Sequence, residues 1–286
     1  MEWGGVNQGD YLETSHNYIL KNNILKIGYF ADGPWAHKTF EKLIADKSIK
    51  ICFVCVRYDR NDVDLFVSMS FNQIFKNKII NLPRLKTINC HAGKLPFYRG
   101  RNILNWALIN DEKEFGITVH YVDEGIDTGD IILQRTFQIL DSDDYNTLLE
   151  KAYEECANIL YDAIVLIRLN LVKPIKQKNI HSFGMYCGRR QAGDEIIDWN
   201  QNSRDLFNFI RAICKPGPMA QSYINNKVIY INKSEMVKDA INYKCIEGQV
   251  LSKDKDNSFY VKTKDNVLKI TQYFYDGIIK VGDRLK

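Results

Sequence analysis

At 286 residues, with 45% hydrophobic residues and a net charge of +4 from 39 basic and 35 acidic side chains, the chain has room for one large or two smaller globular domains. So mild a basicity is not the clustered Lys/Arg footprint of a nucleic-acid binder, and it suits a small anionic ligand equally well. No apolar run of about 18 residues marks a membrane span, and Met1 to Asp10 carries no charged-then-apolar export signal, so a cytoplasmic protein with no membrane partner is expected.

Residues 1–23 are polar and aperiodic and read as an N-terminal extension. Ile24 to Phe30 is a first strand, and Trp35 to Asp46 suits an amphipathic helix. Ile51 to Val56 has the continuous apolar character of a strand buried on both faces. Asp64 to Ser70 and Lys86 to His91 are further strands, and Gly100 to Asn110 is a helix. Thr118 to Val122 and Ile131 to Phe137 are strands on either side of an acidic loop. Asp141 to Asp144 caps a long helix running to about Asn170. Pro174 to His181 is a polar linker, and Arg204 to Cys214 is a helix stopped by Lys215-Pro216-Gly217-Pro218. From Ser222 to Tyr273 short alternating runs separated by turns indicate strands alone. This pattern predicts a Rossmann-like, doubly wound α/β domain over residues 24–185 and a smaller β-containing domain over residues 186–286. The seven cysteines are scattered. Cys52 and Cys55 point to opposite faces of a strand, and no second Cys/His pair has ligand spacing, so reduced structural cysteines and no metal site are expected.

Chemistry is concentrated between residues 89 and 130. On a strand ending at His91, side chains alternate, so Asn89 and His91 share one face and Cys90 takes the other. Gly93 and Pro96 then open a loop, and the carboxyl ends of strands are where α/β sheets place their sites. An amide beside an imidazole is suited to holding an oxyanion and moving a proton. Either segment alone has a blander reading: Asn-x-His is a short, common tripeptide, and Asp123 to Asp130 has the composition of an acidic turn.

Taken in order, Asn89-x-His91, Leu95-Pro96, Tyr98-Arg99-Gly100, Gly116-x-Thr118-x-His120 and Asp127-Thr128-Gly129 resemble the 10-formyltetrahydrofolate-dependent formyltransferases. Asp64 to Phe75 resembles that family's strand and turn flanking the folate pterin. Gly188-Arg189-Arg190, Asp198-Trp199 and Ile210-Arg211-Ala212 resemble the linker and following helix of its two-domain members. Within the family the likeness is greatest to the sugar-nucleotide N-formyltransferases.

The resemblance implies transfer of a formyl group from 10-formyltetrahydrofolate, without a metal, to the amine of a nucleotide-linked (dTDP, then UDP) amino-deoxy sugar for surface polysaccharide biosynthesis, with no nucleic-acid partner and a homodimer as the assembly. It implies Asn89 and a protonated His91 as oxyanion donors and Asp127 as an ionised partner to the histidine. His120 is expected outside the centre, packing or hydrogen-bonding behind it. Met69, Gln73, Ile74, Phe75 and Ile80 would line the pterin cleft, with Asp123 and Glu124 in the loop that reads its polar edge. Trp35 would stack on the base, Lys94, Arg99, Arg189 and Arg190 would meet the diphosphate, and Tyr186 would close over the substrate. Alternatives are a methionyl-tRNA formyltransferase, a formyltetrahydrofolate hydrolase, and a binding protein that keeps the fold without the chemistry.

One stretch departs from the family. Only Arg57 to Val63 separates two strands where relatives carry a helix, a strand and a helix, and parallel neighbours need a crossover of a dozen or more residues. The chain lacks that unit, or residues are missing from the sequence here, or the two strands are not parallel. An anomaly is therefore expected around Tyr58 to Val63.

Overall fold

The computed structural model describes residues 24–31, 33–54, 63–71 and 74–286. A six-stranded sheet organises the first domain: β1 (Leu25–Ala31), β2 (Ile49–Val54), β3 (Leu65–Met69), β4 (Thr87–His91), β6 (Glu114–Tyr121) and β7 (Ile131–Gln138), in the order β2-β1-β3-β4-β6-β7. The first four strands run parallel. The last two are antiparallel, β6 to β4 and β7 to β6, so the doubly wound sheet ends in an antiparallel edge. For β7 the direction follows from connection length: the short acidic loop between β6 and β7 can reverse the chain but cannot recross the sheet.

Between β1 and β2 lies helix α1 (Gly33–Ala45), and the short α2 (Asn77–Ile80) precedes β4. Helix α3 (Ile103–Ile109) follows the two-residue strand β5 (Arg99–Gly100). The long α4 (Tyr145–Arg168) begins with a capping box in which Asp144 accepts from the Thr147 amide at 3.1 Å and the Thr147 hydroxyl accepts from the Asp144 amide at 3.0 Å. Leu148, Ala152, Cys156, Ile159, Leu160, Ala163, Ile164 and Ile167 recur every three or four residues on it and are all buried. Truncating one of its fully buried leucines should cost about 2–5 kcal/mol.

β2 and β3 flank β1 and both run parallel to it, which removes the reading in which these strands are not parallel. The connection that prompted the expectation of an anomaly lies outside the described residues, except for Val63, which is buried against Phe66, Phe75 and Ile80. Residues 1–23 lie outside them also.

After α4 the chain forms the short α5 (Gln177–Ile180) and returns to the first domain through β8 (Tyr186–Cys187), which pairs with β5. Helix α6 (Ser203–Ile213) leads into a separate antiparallel sheet of β9 (Ala220–Ile224), β10 (Lys227–Met236), β11 (Val250–Lys253), β12 (Phe259–Lys262) and β13 (Val267–Tyr275), in the order β11-β12-β13-β10-β9. Asn225 and Asn226, both at positive φ, form the two-residue turn between β9 and β10. Arg204 and Arg211 fasten α6 to the first domain. Arg204 donates to Asp111 and Asp141, and Arg211 donates to the Leu140 and Asp143 carbonyls.

Candidate active site

β4 is buried between β3 and β6, and its carboxyl end carries Asn89 and His91. The register aligns Asn89 with His120 across the β4/β6 pair. Directly opposite residues share a sheet face, so His120 stands beside Asn89 rather than outside the centre. Its Nε2 is 3.3 Å from the Asn89 side-chain nitrogen and 3.5 Å from Asp127 Oδ1. The other face of β4 behaves as expected: Cys90 is buried against the Cys156 carbonyl on α4.

Hydrogen-bond partners fix the ring protons. His91 Nε2 is 2.7 Å from the Tyr98 carbonyl, which can only accept, so this nitrogen carries the hydrogen. His91 Nδ1 then faces Asp127 Oδ2 at 3.6 Å. His120 Nδ1 is 2.8 Å from the Tyr121 carbonyl and likewise carries a hydrogen, so in the neutral ring Nε2 accepts from Asn89. The second N–H of the Asn89 amide is left for a ligand. Gly93 makes the His91 contact possible, because a Cβ there would lie 2.4 Å from both His91 Nε2 and the Tyr98 carbonyl oxygen.

Asp127 comes to the same point from the β6–β7 loop. Its Oδ2 accepts from the Gly100 amide at 2.9 Å. Tyr98, Gly100, Asn102 and Asp127 all have φ between +54° and +97°. Left-handed backbone at non-glycine residues costs energy and gathers where a site must be held in shape. At Gly100 a Cβ would be 2.5 Å from the Cys187 carbonyl oxygen, so the β5/β8 pair also requires glycine there.

The three titratable groups are 3% to 12% exposed. Burial alone would raise the Asp127 carboxyl, but its attraction to the His91 and His120 rings when they carry a second proton, together with the Gly100 amide, more than reverses it and holds the group well below the usual carboxylate range. For His91 burial is the largest influence and pushes its pKa below the ordinary imidazole value, against the opposing pull of Asp127 and the Tyr98 carbonyl. A buried carboxylate thus faces a neutral imidazole whose Nδ1 is a base.

These groups line a cavity of about 770 Å³. Met69, Ile74, Phe75 and Asp123 lie along it, as does Tyr186. Phe75 has a second role in the apolar cluster, edge-on to Phe30 at 5.2 Å and stacked on Phe71 at 5.3 Å. Ile80 is buried within that cluster, behind the cavity wall. Asp123 accepts from the Gly125 amide and the Thr128 hydroxyl, and Glu124 is exposed and holds Asn77. Gln73 and the side chain of Trp35 lie outside the described residues.

The expected diphosphate contacts do not converge on the cavity. Lys94 pairs with Glu114 at 2.5 Å beside a neighbouring cavity of about 520 Å³. Arg99 donates to Gln177 at 2.6 Å and 3.1 Å and lies 5.4 Å from the Tyr186 ring. Arg190 donates to the Asp194 carbonyl and stacks on Phe209, and Arg189 is exposed. Arg101 and Asn102 line the cavity instead. Among the described residues the Arg101 guanidinium has no hydrogen-bond or ion-pair partner. It adjoins Tyr98-Arg99-Gly100, a signal available in the sequence.

No helix of the described residues is long and apolar enough to cross a membrane. Nor, among them, do three or more His, Cys, Asp or Glu side chains group to hold a metal ion.

A two-domain chain with Asn, two histidines and Asp around one cleft is the plan of a formyl-group transferase. The formyl transferase family model matches residues 54–164, and the model for the formyl transferase C-terminal domain matches residues 190–277. Methionyl-tRNA formyltransferase of Pelotomaculum thermopropionicum is 33% identical over 220 residues, which is 76% of this chain and 68% of that one. The chain belongs to the formyl transferase family.

Two solved structures share its fold. A sugar 3N-formyl transferase, crystallised in the presence of dTDP and 5-N-formyl-THF, aligns over 90% of this chain and all of its own, at 24% identity and a TM-score of 0.68. The N-formyltransferase from Helicobacter canadensis, in complex with folinic acid and dTDP-3-aminofucose, aligns over 87% of this chain and all of its own, at 22% identity and a TM-score of 0.69.

Proposed function

We propose that this chain transfers the formyl group of 10-formyltetrahydrofolate to the amine of a nucleotide-linked amino-deoxy sugar, dTDP-linked before UDP-linked. The observation that carries the reading is the mixed lining of one cavity: Asn89, His91 and Asp127 share it with apolar side chains including Met69 and Phe75 and with Arg101, Asn102 and Tyr186. The apolar part of the lining suits a flat pterin, with Asp123 for its polar edge. The polar part offers an unpaired guanidinium for a diphosphate and an aromatic ring, 57% exposed, to close over the sugar. Trp35 is kept as the base-stacking residue.

In this mechanism the neutral amine attacks the formyl carbon. The free N–H of Asn89 receives the developing oxyanion, an interaction typically worth about 3–4 kcal/mol. His91 Nδ1 takes the amine proton, and Asp127 stabilises the imidazolium so formed. Collapse of the intermediate expels the folate nitrogen, which takes the proton from His91. A protonated His91 serving as a second oxyanion donor, the expectation from sequence, fits less well, because Nε2–H is committed to Tyr98 and burial favours the neutral ring.

Methionyl-tRNA is the second reading, favoured by the 33% identity to a methionyl-tRNA formyltransferase. Against it, three of the twelve lysines after residue 186 are matched by acids: Lys227 by Asp276, Lys233 by Asp144 and Lys269 by Asp254. Such pairing leaves less free charge for a polyanion.

The test is incubation with 10-formyltetrahydrofolate and a panel of dTDP- and UDP-linked amino sugars, read as the mass gain of one formyl group. Formylation of charged methionyl-tRNA with no sugar product overturns the sugar reading. Formate release that needs no amine indicates a hydrolase.

A further inference from the structure

A buried polar side chain outside the reacting groups is tied to both ends of this machinery. Gln177, 4% exposed, opens the short helix after the linker proline Pro174. Its Nε2 donates to the carbonyls of Asp127 and Gly129, both at 2.8 Å. Its Oε1 accepts twice from the Arg99 guanidinium, at 2.6 Å and 3.1 Å. Every hydrogen-bonding atom of the carboxamide is thereby used within the protein, which is how a buried amide is held without penalty. The same guanidinium lies 5.4 Å from the Tyr186 ring. Gly184 runs so close that a Cβ there would be 2.1 Å from Arg99 Nη1. β5 and β8 add the backbone pairing of Arg99 with Tyr186.

We infer that Gln177 is a positioning residue for Asp127, and that the Gln177–Arg99–Tyr186 relay couples the interdomain linker to the Asp127 carboxylate. Asp127 is in the left-handed region, which its own backbone disfavours, so something outside the loop must hold it. The grip on the carbonyls of residues 127 and 129 brackets the turn and fixes where the carboxylate meets His91. A nucleotide that settles against Tyr186 then bears on Arg99, and through Gln177 on the height of the carboxylate. Arg99 belongs to this relay rather than to the diphosphate.

For its kinetic consequence the inference rests on the proposed formyl transfer, but its geometric core does not. Gln177→Met keeps the side-chain volume and removes both donors and the acceptor. Imidazole nitrogen NMR of the full chain, titrated against pH, reads the His91 midpoint without any substrate. Asp127 raises that midpoint, so loosening its loop should lower it by about half a unit or more. Arg99→Met, which leaves the carbonyl contacts but frees the carboxamide to turn, should shift it the same way by less.

In turnover, Gln177→Met should lower kcat about tenfold to a hundredfold, with KM for the formyl donor within about threefold. An unmoved His91 midpoint in folded Gln177→Met overturns the inference. If that variant does not fold, an unmoved midpoint in Arg99→Met does so. A shifted midpoint in a protein that formylates no amine supports the positioning role and overturns the proposed function alone.

Discussion

Replacing Asp127 by Asn tests the arrangement at its most charged point. The substituted amide keeps the volume of the carboxylate and an oxygen for the Gly100 amide, so the loop is retained while the charge is lost. Two unit charges 3.6 Å apart attract by about 4–5 kcal/mol at an effective dielectric near 20. That attraction is absent while His91 is neutral and present once it has taken the amine proton, so it stabilises the transition state and not the ground state. Allowing for the dipole that the amide retains, D127N should lose about 10²- to 10³-fold in kcat with KM for either substrate little changed. The pH profile carries an independent sign. Burial already lowers the His91 pKa, and the carboxylate opposes that shift, so removing the charge should move the acid limb of kcat/KM to lower pH. Steady-state kinetics from pH 5 to 9 on a folded, calorimetrically checked variant reads both quantities. A D127N enzyme with more than about a fifth of wild-type kcat, or an acid limb displaced upward, refutes the reasoning.

Asn89→Ala removes the proposed oxyanion donor and should cost about 10²- to 10³-fold in kcat, measured with both substrates saturating. Gly93→Ala forces a Cβ into His91 Nε2 and the Tyr98 carbonyl oxygen, and should lower both kcat and Tm; unchanged kcat would mean that the ring is not held as described. Arg204→Ala breaks the partly buried bridge to Asp111 and Asp141 and should cost about 1 kcal/mol, read as a few degrees of Tm. Burial would raise the Asp111 carboxyl, but Arg204 and Lys113 outweigh it and hold the group below its usual range, so the stability gap between wild type and R204A should be full at pH 7 and close as pH falls below about 4.

What could be read from the sequence was what local rules govern. Alternation along a strand put Asn89 and His91 on one face and Cys90 on the other, and the acid cluster before residue 145 marked the start of the long helix. The β-only signals after Pro218 became the five-stranded second sheet. Hydrogen bonding by His120 is legible in the sequence, but its place beside Asn89 is not, because that depends on register across β4 and β6, and register between strands some 30 residues apart is set by the whole sheet. Gln177 reads as part of a polar linker for a similar reason: its partners lie 48 to 78 residues away in sequence. Lys94, Arg99 and Arg190 read as free cations because a sequence shows charge but not the acid, amide or carbonyl that occupies it.

The antiparallel turn of the sheet explains why the site needs such support. Because β6 runs against β4, its carboxyl end lies level with the start of β4, where the Val122 amide donates to the Thr87 carbonyl. Asp127 is needed at the other end of β4, beside His91. At about 3.3 Å per residue the loop must travel back roughly 13 Å over the face that carries Asn89 and His120. A loop that leaves its strand and doubles back over the same sheet has no ladder to hold it, and its backbone groups must be satisfied individually. The left-handed turn at Asp127 and the close approach of Gly129 to the Tyr121 carbonyl make the reversal possible, and the Gly100 amide and Gln177 carboxamide hold it there. The carboxylate is therefore placed by contacts from β5 and the interdomain linker, not by the strand that leads to it. It follows that substitutions in the linker should act on catalysis before they act on stability.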